Sequence, residues 1–347
     1  MNKNYEKLLS SLGEWDGALI SSKANIFYYS GFTSEDALLY ISHKKRMLLT
    51  DSRYVIQAKE QAPDFEVISG KWIEALSETE EKVVFIEEDY ISAGEKRKLA
   101  EALDNKDFVF GGEMISAPRR IKNSEEIKKI GEAERLGDNA FAHILKYIRP
   151  GMTEAQVALE LEFYMRNRGA SSLAFETVCA SGVRSAMPHG TATDKKINLG
   201  DLLTLDFGCV LDGYCSDMTR TVVVGKAAHK QREIYNIVLK AQLAAIDGIK
   251  CGMECAAADK IARDIIDGYG YGKNFGHSLG HSLGLQVHER PNLSPKSEDI
   301  LEAGNVFSVE PGIYIEGFGG VRIEDVCAIT PEGVINLTHS PKELIEI

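Results

Sequence analysis

Two aspartates occur where an apolar strand should reject them. Asp206 lies inside LLTLDFG and Asp217 inside YCSDMTRT, both in the stretch from Pro188 to Thr221. A carboxylate among strand-forming residues is costly to desolvate unless a partner cancels its charge. The basic residue nearest Asp217 in sequence is Arg220. If Leu202 to Gly208 forms one strand and Tyr214 to Val224 the next, with Leu211-Asp212-Gly213 as the turn, a hairpin holds both carboxylates side by side. Two readings are open at this point: Asp217 begins a turn while Asp206 pairs with an arginine, or both face a shared cation.

Further candidate ligands follow downstream, in FGHSLGHSLGLQVHE at 275–289, VFSVEPGIY at 306–314 and GVRIEDV at 320–326. These supply His281, Glu310 and Glu324, each in an apolar or glycine-rich setting. Four converging carboxylates would raise one another's pKa, whereas two divalent cations cancel four negative charges. The count therefore fits two metal ions. Oxygen-rich coordination with one imidazole suits Mn²⁺, Co²⁺, Zn²⁺ or Fe²⁺, and the carboxylate excess leans toward the harder Mn²⁺. Each residue also has a plainer reading: His281 as a packed core histidine, Glu310 as a turn carboxylate before Pro311-Gly312, Glu324 as a salt-bridge partner of Arg322. All of these would have to hold at once. His277, His281 and His288 fall within twelve residues, and Gly276, Gly280 and Gly284 allow close backbone approach there.

The order Asp206, Asp217, His281, Glu310, Glu324, set in LDFG, SDMTRT, GHSLG, VEPGIY and VRIED, resembles the metallopeptidase family that includes methionine aminopeptidase, aminopeptidase P and prolidase. The resemblance runs from about residue 123 to the end. It implies an α+β catalytic domain of the pita-bread fold. It also implies that Asp206 binds one metal, that His281 and Glu310 bind the other, and that Asp217 and Glu324 bridge them. Ions about 3.5–4 Å apart can share a water, lower its pKa toward neutrality and polarise the carbonyl that it attacks. Glu310 matches the general base. His189, in the turn Pro188-His189-Gly190, and His288 match histidines that contact the peptide and the oxyanion at the scissile carbonyl. His277 is expected near the pocket mouth, with structural packing as the alternative. Tyr314 and Arg322 match pocket-lining residues of aminopeptidase P, where the arginine orients a ligand carboxylate; alternatively Arg322 supports Glu324.

A chain of 347 residues suggests two domains. Residues 1–118 read as a small α/β domain, with strands at Asp16 to Ile20, Phe65 to Ile68, Val83 to Ile86 and Phe108 to Phe110. A hairpin of Ala37 to Ser42 and Arg46 to Thr50 turns at His43-Lys44-Lys45, and helices span Arg53 to Gln61 and Ser92 to Leu103. The domain resembles the N-terminal domain of aminopeptidase P, prolidase and creatinase, most clearly in SSKANIFYYSGF, and no chemistry is read into it. Gly111-Gly112-Glu113 and Ala117-Pro118 break the pattern, so the catalytic domain is expected over 119–347. There Asn123 with Glu126 and Thr153 with Gln156 read as helix starts. Two further helices, near Lys230 to Gly248 and Glu254 to Tyr269, precede the second ligand set. Helix pair, ligand strands, helix pair, ligand strands suggests two similar halves closing on one site.

The net charge of −12 argues against nucleic acid as a partner. MNKNYEKLLSSLGEW has no apolar signal core and no apolar run approaches the roughly 18 residues needed to span a membrane, so a cytoplasmic protein is expected. The six cysteines form no C-x-x-C pair, and neither disulfides nor a thiolate zinc site are expected. The extra domain and the spacing from HSLG to HE resemble the Xaa-Pro branch of the family, which implies small peptide substrates with proline second and a possible homodimer. Arg290 could bind a terminal carboxylate and favour dipeptides over longer peptides, or face solvent. A metal-free peptide-binding module and a creatinase-like C–N hydrolase are the alternatives, each of which has altered ligand positions.

Overall fold

The computed structural model describes residues 4–34 and 36–347, in two units, Met1–Arg119 and Arg120–Ile347. The apolar runs of the first unit become β1 (Asp16–Ile20), β2 (Ala37–Ser42), β3 (Arg46–Thr50), β4 (Glu66–Ser69), β5 (Val83–Ile86) and β6 (Asp107–Phe110), one sheet in the order β4-β3-β2-β1-β5-β6. The central pairs β1–β2 and β2–β3 are antiparallel and the outer pairs parallel. Its helices are α1 (Tyr5–Leu9), α2 (Lys23–Ser30), α3 (Val55–Gln61), α4 (Trp72–Ser77), α5 (Ala93–Ala102) and α6 (Gly112–Ser116). Residues Gly111-Gly112-Glu113, expected only to interrupt the pattern, open α6, and a 3₁₀ turn at Ala117–Arg119 follows.

In the second unit the anticipated caps are present. Asn123 and Glu126 cap each other reciprocally at the start of α7 (Ser124–Tyr147), as do Thr153 and Gln156 at the start of α8 (Glu154–Arg166). The strands that follow are β7 (Ser172–Leu173), β8 (Val178–Ser181), β9 (Leu202–Phe207), β10 (Cys209–Leu211), β11 (Tyr214–Cys215) and β12 (Met218–Val223). Helices α9 (His229–Gly248) and α10 (Cys255–Gly268) lead to the second set: β13 (Gly280–Ser282), β14 (Glu289–Leu293), β15 (Val306–Val309), β16 (Gly312–Ile315), β17 (Gly319–Arg322), β18 (Asp325–Thr330) and β19 (Gly333–Asn336). One apolar cluster joins α7 and α8 to β9 and β12; another joins α9 and α10 to β15 and its neighbours. The antiparallel run β8-β9-β12 is matched by β13-β15-β18, and each carries an inserted hairpin at the same point. The duplicated layout expected from the order of motifs is thus visible in the topology.

The first ligand hairpin differs from the single ladder expected. Pairing runs to Phe207↔Met218, stops, and resumes as Val210↔Cys215 and Leu211↔Tyr214 in a separate sheet. Asp212 (φ 49°) and Gly213 (φ 85°) make the two-residue turn, both in the left-handed region that suits hairpin twist. At the break, a Cβ on Gly208 would lie 2.0 Å from the Ser216 carbonyl oxygen, so only glycine lets the strands part here. The second half repeats the device, since Val309↔Asp325 is the last pair before β16 and β17 form a sheet of their own. Asp217 on one side and Glu310 with Glu324 on the other stand at these two breaks.

Candidate metal centre

The two breaks meet. The Glu324 amide donates to the Thr219 carbonyl oxygen at 3.1 Å, and the Thr221 hydroxyl bonds both the amide and the carbonyl of Arg322. Asp217, His281 and Glu324 each offer a ligand atom, all within 4.8 Å of one another. His281 Nε2 lies 3.5 Å from Asp217 Oδ2 and 3.4 Å from Glu310 Oε1. Asp206, on β9 opposite Thr219 and diagonal to Asp217, gives Oδ2 to the Arg322 guanidinium at 2.5 Å, while its buried Oδ1 accepts no hydrogen bond from the described residues.

Hydrogen bonds fix most of these groups. The His281 Nδ1–H donates to the Ser282 carbonyl at 3.2 Å, so Nε2 presents its lone pair to the carboxylates. Glu310 Oε1 accepts from the Ser308 hydroxyl at 3.0 Å and Glu324 Oε2 from the Thr219 hydroxyl at 2.6 Å. Burial, followed by the charges of Glu324, Asp206 and Glu310, pushes the Asp217 carboxyl well above the ordinary range. Burial, with Glu310 and Asp206, does the same to Glu324, and burial raises Glu310. Burial holds the His281 imidazole below its usual pKa. A neutral imidazole nitrogen facing carboxylate oxygens at these distances needs a proton or a cation between them. With Asp206 Oδ1, which has no partner among the described residues, this oxygen-rich set with one nitrogen fits divalent first-row cations.

Arg322 is buried and committed to protein groups, whereas the family resemblance put it against a ligand carboxylate. Its guanidinium donates to Asp206, to Thr219 Oγ1 at 3.0 Å, to the Pro188 carbonyl at 3.1 Å and to the Tyr314 hydroxyl at 2.8 Å. Tyr314 in turn donates to His277 Nε2 at 2.9 Å, because His277 Nδ1–H is used on the Ser278 carbonyl at 2.8 Å. His277, half-buried, also packs edge-on against buried Phe275. The His288 ring stands edge-on to His281 with centroids 4.4 Å apart, and burial holds both His277 and His288 below the usual imidazole pKa. His189, His288 and Arg290 are exposed. Arg220, the sequence neighbour first considered for the aspartates, points elsewhere: it pairs with buried Asp325 at 2.7 Å and donates to the carbonyls of Glu324, Ser340 and Pro341.

Sequence reasoning missed Thr219, Ser308 and Glu134. Thr219 could have been found, since it is two residues from Asp217 and so shares its strand face. Glu134 sits among the buried positions Ile130, Gly137 and Phe141 of α7, a carboxylate inside an apolar stripe. Its Oε1 accepts from the Asp217 amide at 2.8 Å, and burial raises its pKa to about 8.

A carboxylate-rich cluster with one imidazole, assembled from two matching halves, is the architecture of a metal-dependent hydrolase. Residues 128–331 match metallopeptidase family M24, and residues 4–121 match the creatinase/prolidase N-terminal domain. A Bacillus subtilis protein described as the uncharacterized peptidase YqhT is 47% identical, the match covering 98% of this chain and 99% of that one. A solved structure of an Xaa-Pro dipeptidase from Bacillus anthracis has 44% identity and a TM-score of 0.95, with 99% of each chain covered. That of an X-Pro aminopeptidase from Thermotoga maritima has 38% identity and a TM-score of 0.92, again over 99% of each chain. The chain belongs to metallopeptidase family M24, and it carries the creatinase/prolidase N-terminal domain ahead of the catalytic one.

Proposed function

We propose that the enzyme is an Xaa-Pro dipeptidase, cleaving the bond before proline with two divalent ions held by Asp206, Asp217, His281, Glu310 and Glu324. The observation that carries this reading is the set of lone pairs turned on one another at 3.4 and 3.5 Å around His281, in a chain that aligns end to end with a named Xaa-Pro dipeptidase. Asp206, Asp217, His281, Glu310 and Glu324 would hold the ions, which would supply Lewis acidity toward water and the scissile carbonyl. The chain's own groups do the rest. Glu310, steadied by Ser308, takes a proton from the attacking water and returns it to the proline nitrogen as the bond breaks. His189 and His288, both exposed, donate to the carbonyl oxygen as negative charge develops. Arg322 orients Asp206 and, through Tyr314, His277. Because Arg322 is engaged in this way, a substrate carboxylate needs another cation, and the proposal gives that role to exposed Arg290, on the strand paired with that of His281.

The X-Pro aminopeptidase of T. maritima supports a second reading, in which longer Xaa-Pro peptides are cut as well. Comparing kcat/KM on an Xaa-Pro dipeptide and the matching Xaa-Pro-Yaa tripeptide decides between the two: faster cleavage of the tripeptide rejects the dipeptidase. The proposal extends to Mn²⁺ as the working ion, a cytoplasmic location and a homodimer. Fewer than two bindable Mn²⁺ per chain, with no Mn²⁺-dependent hydrolysis of either peptide, would reject the enzyme reading itself.

A further inference from the structure

We infer that Glu134 is a positioning residue that sets the spacing between the two carboxylates proposed as metal bridges, Asp217 and Glu324; the inference rests on that bridging role. Glu134 is fully buried on α7, and its two oxygens reach toward different halves of the catalytic unit. Oε1 accepts the Asp217 amide at 2.8 Å. Oε2 accepts the Thr338 hydroxyl at 2.9 Å, and Thr338 Oγ1 accepts the Val326 amide, also at 2.9 Å. Val326 is two residues beyond Glu324. One side chain therefore closes an unbroken run of hydrogen bonds from the backbone of the first bridge to the backbone beside the second.

The break in the ladder explains why a carboxylate is buried there. Pairing of β9 with β12 ends at Phe207↔Met218, so the amide of Asp217 needs an acceptor from outside the sheet, and an apolar residue at 134 would leave it unpaired. The next turn of α7 reinforces the arrangement. Asp138 accepts the amides of His339 and Ser340 and the Ser340 hydroxyl, which holds the segment that carries Thr338. Helix α7 thus fastens the C-terminal segment and the Asp217 break to one rigid body.

The test titrates Mn²⁺ by calorimetry into chelator-treated full-length wild type, Glu134→Gln and Glu134→Ala, with kcat and KM measured on an Xaa-Pro dipeptide. Glutamine keeps an oxygen for the Asp217 amide and should retain wild-type Mn²⁺ affinity and stoichiometry. Alanine should weaken Mn²⁺ binding by about 10–100-fold and lower kcat at saturating Mn²⁺ while leaving KM unchanged. Wild-type Mn²⁺ binding by Glu134→Ala overturns the inference, and so does a loss in Glu134→Gln as large as in Glu134→Ala, which would make charge and not geometry the contribution. If circular dichroism shows Glu134→Ala unfolded, Thr338→Val replaces it: weakened Mn²⁺ binding supports the run of hydrogen bonds and unchanged binding breaks it. Fewer than two Mn²⁺ in the wild type would instead overturn the bridging role, and this inference with it.

Discussion

Asp217, Thr219 and Thr221 stand two residues apart and so face one way: the first toward His281, the second onto the Glu324 carboxylate, the third onto the backbone of Arg322. Replacing Asp217 with alanine removes a proposed metal ligand that lies beside His281 and Glu324. Its activity should fall by more than ~100-fold, beyond what loss of a supporting residue costs, and metal analysis should find fewer than two ions bound. Thr219→Val should be milder, because the hydroxyl only orients Glu324 and Arg322; a roughly tenfold loss of Mn²⁺ affinity is expected, read by calorimetric titration. The candidate ligands were legible because a carboxylate in an apolar setting demands a partner, and four of them occur in order with one histidine. Their supports were not. An arginine partner for Asp206 was among the readings, but that it is Arg322, and the parts played by Ser308 and Glu134, depend on which distant segments meet, and local pattern does not carry that information.

Gly208 shows what an element can hide. Its neighbours read as one continuous hairpin, since alternation and the Asp212-Gly213 turn are both intact, yet the ladder changes sheet at this glycine. Gly208→Ala would drive a Cβ to 2.0 Å from the Ser216 carbonyl oxygen, next to Asp217. The expected cost is about 1–3 kcal/mol, visible as a lower denaturation midpoint together with weaker metal binding. Helices were legible where they were long and capped, as with α7 and α8. Helix α2 escaped because five of its eight residues are buried, leaving no 3.6-residue stripe, and because aromatic and β-branched residues in KANIFYYS are indifferent helix formers. The Ser22 cap and left-handed Gly31 delimit it, but both fit a loop equally well by sequence.

For the molecule as a whole, the carboxylates of the metallopeptidase site make stability depend on pH in an unusual direction. Burial and mutual repulsion raise Asp217, Glu324 and Glu310, and burial takes Glu134 to about 8. A group whose folded pKa lies above its unfolded value contributes stability that is complete below the unfolded pKa, about 4 for carboxylates, and is lost as pH rises through the folded pKa. Asp325 works the opposite way: burial alone would raise it, but Arg220 and Lys342 outweigh burial and hold it low. Its contribution is present above about pH 4 and lost as pH falls further. Chelator-treated protein should therefore melt at progressively lower temperature as pH climbs from about 5 to about 8. Added Mn²⁺ should reverse that slope, because cations require the deprotonated ligands and displace their protons. Thermal melts across this range, with and without Mn²⁺, check both signs, and a chelated protein whose Tm rises with pH would contradict them.

The seam between the two strand breaks has one more consequence. Asp217 and Glu324 are remote along the chain, so a cation gripping both, as proposed, would act as a removable staple, closing a long loop much as a disulfide does. Stripping it should shorten the lifetime of the native state under protease attack, and restoring it should lengthen that lifetime again. Resistance to digestion would then report occupancy in a cell extract even where no peptide substrate is being turned over.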